Sequence, residues 1–407
     1  MFKQAQKSMT KLVLVSTAYG IPNVFRSNRI FNKIFWLIFL LISTAMASVY
    51  IYRGIMAYYN YEVVTLIKQD YGQPTEFPAI TFCSLKLYHF ENKSLNELIE
   101  VASFGYDYGI ADNISNHLEL VNTSSIGKCY RFNSGLNLYS ESIPIKQSTF
   151  GGQFDSFSLA INAPDGLAVW IHNKSSPPTI ELGSGDGNDP INILPGFQTN
   201  LAIEKIVEQK LEEPYNHCLQ NVSMFQRNKT VIDYIKAKGQ SYTQIKCLEL
   251  CFDLDYITRN PCNCTNVTIG NVWSACWLDF ESSVINSCTF MSKRNFYQQD
   301  VKEYCSLYCP LECDSVSFSV QINTFKALFF TDPNVAYFKI FYRSLKYTLI
   351  TQKPKMLPFD VISNVGGTLG LFVGLSFVSL FEITEMVIEV ILIMLRKHVL
   401  KKPVADI

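Results

Sequence analysis

The chain has 407 residues, with 35 basic and 35 acidic side chains and a hydrophobic fraction of 48%. That even balance argues against a nucleic-acid partner, which would need a net basic surface. The five histidines, His89, His117, His172, His217 and His398, are scattered. They form no metal-ligand spacing, and no hydrolase signature, phosphate loop or internal repeat is present, so an enzyme is not indicated.

Residues 1–33 hold Lys3, Lys7, Lys11, Arg26, Arg29 and Lys33 and no acidic residue. A first membrane-length run follows: Ile34 to Tyr52 is uncharged and lies between Lys33 and Arg53. We assign a span to 34–55, since about 20 apolar residues cross a bilayer. A cleaved signal peptide is the alternative, but 33 residues precede the run, and its apolar core exceeds the usual signal length.

Residues 56–360 carry all twelve cysteines and eight N-x-S/T sequons, at Asn92, Asn113, Asn122, Asn173, Asn221, Asn228, Asn263 and Asn266. An even cysteine count and clustered sequons on one side of a span point to an oxidising, glycosylating compartment. The basic segments at both ends then lie in the cytosol. Within this region SFSLAINA and GLAVWIHN alternate apolar and polar residues and read as strands, as does DSVSFSVQI. KIFYRSLKYTLITQK carries a mixed strand signal. From Cys218 to Cys313 the cysteines are dense. Cys247/Cys251 and Cys305/Cys309, each four apart, suit two antiparallel helices stapled along one seam. Zinc is the rival, but the paired C-x2-C of a zinc ribbon is missing, and spacing alone leaves the connectivity open.

The second membrane-length run spans 361–395, and residues 396–407 form a basic tail with Arg396, Lys397, Lys401 and Lys402 that suits lipid headgroups. The run is uncharged until Glu382, Glu385 and Glu389, whose spacing puts them on one helix face. Each carboxylate at mid-membrane depth costs about 2.5–3.5 kcal/mol unless it meets water or protein. A carboxylate stripe facing a water-filled path suits cation passage. The alternative ends the span near Phe381, with the glutamates among headgroups.

Several motifs, in order, resemble the degenerin/epithelial sodium channel superfamily. FPAITFC at 77–83 resembles its motif after the first span, and CYRFNSG at 129–135 resembles a second signature. CSLYCPLEC at 305–313 resembles the end of its nested thumb disulfides, and GGTLGLFVGLSFVSLFEITE at 366–385 is similar to its pore helix. Trp36 stands where the family often has a Trp entering the first span. The match runs from about Gly20 to Leu395.

The resemblance implies an α+β membrane protein: two transmembrane helices flank a large disulfide-rich β-core extracellular domain with a helical thumb at about 218–313, assembled as a trimeric channel. It implies a plasma-membrane, sodium-preferring, amiloride-sensitive cation channel opened by an extracellular stimulus, with an extracellular peptide or proton as candidate ligand; peptide, proton, mechanical and constitutive gating all occur on this scaffold. There is no cofactor beyond the permeant sodium ion. Partners would be related subunits, in a homo- or hetero-trimer, and membrane lipid. Gly374, Leu375 and Ser376 would form the selectivity filter, with Glu382 and Glu385 as pore carboxylates. Ser363 falls at the position that must stay small for closure. Gly20 would act in gating, preceded by Tyr19 where the family has His. Tyr61 and Tyr215 would couple the first span to the thumb. The implied disulfides are Cys83–Cys129, Cys218–Cys313, Cys247–Cys309, Cys251–Cys305, Cys262–Cys288 and Cys264–Cys276. The short Cys83–Cys129 interval implies a reduced finger region, Asn364 replaces the family's pore-mouth Asp, and Glu62-Val63 replace the histidine pair of acid-sensing members.

Two other classes share parts of this pattern. An ATP-gated channel also has two spans and a Cys-rich ectodomain, but leaves FPAITFC and GLFVGLS unexplained, and no lysine cluster marks a triphosphate site. A non-conducting receptor or adhesion subunit leaves the membrane glutamates without a role.

Overall fold

The computed structural model describes residues 23–24, 27, 29–86, 89–90, 93–105, 114–123, 127–175, 190–219, 233, 242–265, 267–269, 288, 291–292, 294–296, 305, 309–326 and 332–376, and separate positions between 379 and 392. The chain divides into two units: residues 1–64 with 353–407, and residues 65–352.

In the first unit, helix α1 (Ile30–Tyr59) is the one described helix long and apolar enough to cross a membrane. It extends the expected 34–55 by about a turn at each end. Its charges sit towards those ends, so nothing charged interrupts the middle. Ile34, Phe35, Ile38, Leu41 and Ile42 are exposed, and only Ser43 and Ala47 are buried. Those two are four apart, on one face. Their small side chains let α4 (Pro358–Val373) approach closely, and Tyr50 stacks on Phe372 at 5.6 Å.

The second unit is mainly β. In chain order its strands are β1 (Val63–Tyr71), β2 (Thr75–Glu76), β3 (Ala79–Ser84), β4 (Ile99–Phe104), β5 (Leu118–Thr123), β6 (Gly127–Phe132), β7 (Gln147–Ser148), β8 (Phe157–Asn162), β9 (Leu167–His172) and β10 (Ile191–Ile193). Then come β11 (Phe197–Gln209), β12 (Cys218–Leu219), β13 (Leu311–Glu312), β14 (Asp314–Lys326), β15 (Val335–Tyr342) and β16 (Lys346–Pro354). A one-turn helix α2 (Leu95–Leu98) precedes β4.

One sheet runs β1-β16-β11-β15-β8-β4, with β14 also on β11. The long β11 organises it. Its whole length pairs antiparallel with β14, while its two halves pair parallel with β15 and then β16. The stretch KIFYRSLKYTLITQK is therefore two strands, divided where Arg343 to Leu345 leave the ladder. A second sheet runs β10-β9-β3-β6-β5. Inward residues of both sheets make one core that includes Phe82, Phe132, Phe157, Phe338 and Tyr342. Phe132 of one sheet stacks on Phe157 of the other, centroids 3.9 Å apart. Each such ring removes roughly 150–250 Å² from water, the largest single contribution to holding the sheets together.

A separate small core surrounds α3 (Gln244–Arg259), with Leu250, Phe252, Tyr256 and Phe296 around the cysteines. Thr243 caps its start by accepting from the Lys246 N–H at 3.3 Å, and Asn260, left-handed at φ 37°, ends it. The helix expected opposite, over KEYCSLYC, lies outside the described residues apart from Cys305 and Cys309.

Candidate functional site: the interrupted helix α4

Helix α4 starts at a proline. Pro358 occupies its first turn, where no N–H is needed, and the Leu357 N–H donates to the Asp360 carboxylate at 2.8 Å. Ser363 and Asn364 are exposed on it, and the Asn364 carbonyl accepts from the Thr368 hydroxyl at 2.7 Å. A side-chain carbon at Gly366 or Gly367 would meet nothing, so these glycines are not required by packing inside this unit.

Gly374 ends the helix in the left-handed region at φ 72°, ψ 22°, which glycine adopts without penalty. Its N–H donates to the Gly370 carbonyl at 3.2 Å, and the Leu375 N–H turns back to the Leu369 carbonyl at 3.3 Å. The first bond is the 5→1 closure of a left-handed cap, in the middle of an apolar run. The chain is helical again at Ser379. The Ser376 N–H donates to the Ser379 hydroxyl at 3.0 Å, and the Ser379 N–H donates to the Ser376 hydroxyl at 3.3 Å. Each serine thus caps the other, the reciprocal arrangement of a capping box. Ser376 is exposed and Ser379 is buried.

This arrangement places the expected filter residues Gly374, Leu375 and Ser376 in the break itself. Ser379 was not among the expected site residues; the signal was the S-x-x-S spacing. Glu385 is helical and exposed, while Glu382 and Glu389 lie outside the described residues. Gly20 also lies outside them.

Where α1 gives way to β1, Tyr61 is left-handed at φ 49° and its ring lies near those of Tyr58 and Tyr59. Next to it, the Glu62 carbonyl accepts from the Lys355 N–H at 2.9 Å, and its carboxylate accepts from Lys355 Nζ at 2.5 Å. The chain leaving α1 is therefore clasped to the chain entering α4 within the same unit. Tyr215 belongs to the other unit, where its N–H donates to the Glu212 carbonyl at 3.1 Å.

The second unit contains the disulfides Cys83–Cys129, Cys218–Cys313, Cys247–Cys309, Cys251–Cys305 and Cys262–Cys288. Cys264 is also bridged, and Cys276 lies outside the described residues. The sequon Asn173 is half-buried and its side-chain oxygen accepts from the Ser175 hydroxyl at 3.3 Å; Asn263 is exposed. Asn122 lies on β5; Asn92, Asn113, Asn221, Asn228 and Asn266 lie outside the described residues.

A buried polar chain crosses β9, β3, β6 and β5. His172 Nδ1 donates to the Asn173 carbonyl at 2.8 Å, which leaves Nε2 to accept from the Thr81 hydroxyl at 2.8 Å. Thr81 in turn accepts from Arg131 Nε at 3.0 Å, and Arg131 donates to Glu119 at 3.1 Å. Burial, and then the Arg131 charge, push His172 down to about 3, so the ring is neutral near pH 7. Burial also lowers Arg131, an effect that Glu119 opposes.

The family model described as "Amiloride-sensitive sodium channel" matches residues 13–102 and 86–386. The chain belongs to that family. Its members are membrane ion channels of the degenerin/epithelial sodium channel superfamily, not enzymes, and assemble as oligomers of related subunits. The human bile acid-sensitive ion channel is 20% identical over 91% of this chain and 84% of its own length. Human acid-sensing ion channel 2 is 21% identical over 92% and 85%, and chicken acid-sensing ion channel 1 is 22% identical over 92% and 82%. A cryo-EM structure of a proton-activated chloride channel covers 89% of this chain and 100% of its own at 8% identity. Its TM-score is 0.35, too low to bear on fold or ion. The family match includes the interrupted helix, so the break at Gly374 is the chain's candidate permeation element.

Proposed function

We propose that the chain is a pore-forming subunit of a trimeric, sodium-preferring, amiloride-sensitive cation channel in the plasma membrane. Residues 34–55 and 361–395 are its two spans, with residues 1–33 and 396–407 cytosolic and residues 56–360 extracellular. The observation that carries this reading is the interruption of α4 at Gly374. A helix broken at membrane depth leaves carbonyls without intrahelical donors, which is tolerated where they line a water-filled path. Three copies around one axis would present those carbonyls to a cation and replace part of its hydration.

Ser376 acts here first as a helix cap, so its contribution to the filter is to hold the carbonyl geometry as well as to offer an oxygen. Glu382 and Glu385 would concentrate cations beneath the break. Ser363 would lie against the pore axis when closed, with Gly20 acting on the cytosolic side and Tyr61 and Tyr215 linking gate to thumb. The relatives are named for acid and bile acid sensing. For this chain the opening stimulus is extracellular, with peptide, proton and mechanical gating all open to test, and His172 does not supply a proton sensor near neutrality because its ring stays neutral.

The test is whole-cell recording of the chain expressed alone, with sodium replacement, peptides, pH steps and amiloride. Glu382→Gln should lower cation conductance and weaken sodium preference, because it removes three charges from a poorly screened space. Ser376→Ala should change ion preference more than conductance. Unchanged amplitude and reversal potential in both variants would refute the pore assignment.

A further inference from the structure

Between α1 and α4, within one unit, lies a cavity of about 380 Å³. Trp36, Phe39, Ser43 and Met46 line it from one helix, and Leu371 and Gly374 from the other. Its lining side chains are apolar save the Ser43 hydroxyl and the Trp36 indole N–H, and it is partly open on one side. Ser43 is 91% buried, and among the described residues it makes no hydrogen bond. Its neighbours behave differently. Thr44 donates to the Leu40 carbonyl at 2.9 Å and Ser48 to the Thr44 carbonyl at 2.8 Å, the usual way a helix satisfies its own hydroxyls. Ser43 instead turns to the cavity, near the middle of Ile30–Tyr59 and beside the residue where α4 breaks.

We propose that this cavity binds a neutral amphiphile: a hydrocarbon body with a single hydroxyl, whose oxygen bonds Ser43. The volume lies within the range of small-molecule sites, about 300–1,000 Å³. At about 30 Å³ per water-sized group it holds roughly a dozen such groups, the size of a medium-chain alkanol. The ligand is uncharged because the cavity provides no counter-charge, and an unpaired charge at this depth is costly. It is not a phospholipid chain, which has no polar group so far from its headgroup and would leave Ser43 unsatisfied. The occupied site fills the space behind Gly374, so it sits where a ligand would stiffen the break.

The test uses the full chain in vesicles of phosphatidylcholine alone, with a diazirine-bearing alkanol as photolabel and 1-dodecanol as competitor. It reads binding and not current, so it stands apart from whether the chain conducts. Labelling should fall on the cavity residues of both helices and be displaced by dodecanol. Ser43→Ala, nearly the same size, should raise the dodecanol needed for half-displacement about 2- to 10-fold, the loss of one hydrogen bond. Leu40 also lines the cavity, so Leu40→Trp should abolish labelling by filling the space. Displacement by dodecane as effective as by dodecanol would overturn the proposal in favour of a plain hydrocarbon chain. So would labelling spread along the exposed face of α1 and indifferent to Ser43→Ala. Absent labelling, with Ser43→Cys cross-linking to a second copy, would give the space to a neighbouring subunit.

Discussion

Ser376 and Ser379 cap one another across the break in α4, each accepting a hydrogen bond from the other's backbone N–H, at 3.3 and 3.0 Å. The pair settles where the helix restarts, and so how many carbonyls the break leaves free. Ser379→Ala removes one half of the box and costs about 1 kcal/mol of local order. The sodium-to-potassium permeability ratio should fall, and Ser379→Thr, which keeps the hydroxyl, should recover most of it. Reversal potentials under bi-ionic conditions check this. A wild-type ratio in Ser379→Ala would detach the cap from selectivity.

Glu62 and Lys355 join the exit of α1 to the entrance of α4 through one backbone and one side-chain contact. Both side chains are about half exposed, so their ion pair is worth only about 0.2–1 kcal/mol. Glu62→Lys should shift the opening equilibrium less than about 5-fold, and the exchanged pair Glu62→Lys with Lys355→Glu should return it. A double-mutant cycle on the half-maximal stimulus measures the coupling. Strict additivity of the two single changes would show that the clasp does not take part in opening.

The bridges Cys247–Cys309 and Cys251–Cys305 are nested. With the inner one in place, the outer closes a ring of only about ten residues, so replacing Cys247 and Cys309 by Ser should cost about 3 kcal/mol. Losing both rungs also releases the loop of 54 residues and should cost about 4 kcal/mol more. Surface delivery should therefore drop modestly in the first variant and nearly vanish in the second. Free thiols at Cys247 and Cys309 in mature protein, read by mass spectrometry, would contradict the pairing.

His172 makes the second unit, residues 65–352, less stable in acid. Its folded-state value of about 3 lies below the ordinary 6.5, so as pH falls the unfolded chain takes up the proton first. Stability should then decline from about pH 6.5 downward, by about 1.4 kcal/mol per pH unit, until the folded ring also protonates near 3. Denaturant unfolding of the whole protein at pH 7.5 and 5.5 measures it. His172→Gln should flatten that interval; the same slope in the variant would assign the acid sensitivity to other groups.

The uncharged run of α1 and the strands over SFSLAINA, GLAVWIHN and DSVSFSVQI depended on run length and alternation. These are properties of neighbouring residues, so they were legible in order along the chain. The resemblance carried the cysteine pairs that spacing alone left open. The left-handed Gly374 follows locally from a glycine in an apolar run, but the partner of Ser376 did not. S-x-x-S is common, and only the turn between its serines distinguishes a cap from two separate hydroxyls.

By itself, then, the sequence determined what one residue and its neighbours decide: that the run in α1 is apolar enough for a bilayer, which stretches alternate, and where a helix can break. The tertiary structure alone decided what depends on residues far apart in the chain. It placed β11 between β14 and the pair β15 and β16, linked Thr81 to His172 and Arg131 across three strands, and put Ser43 in the wall of a cavity that Leu371 and Gly374 also line. The physical reason is that hydrogen-bond satisfaction and close packing are settled between side chains brought together by folding, and local periodicity carries no record of which partners will meet.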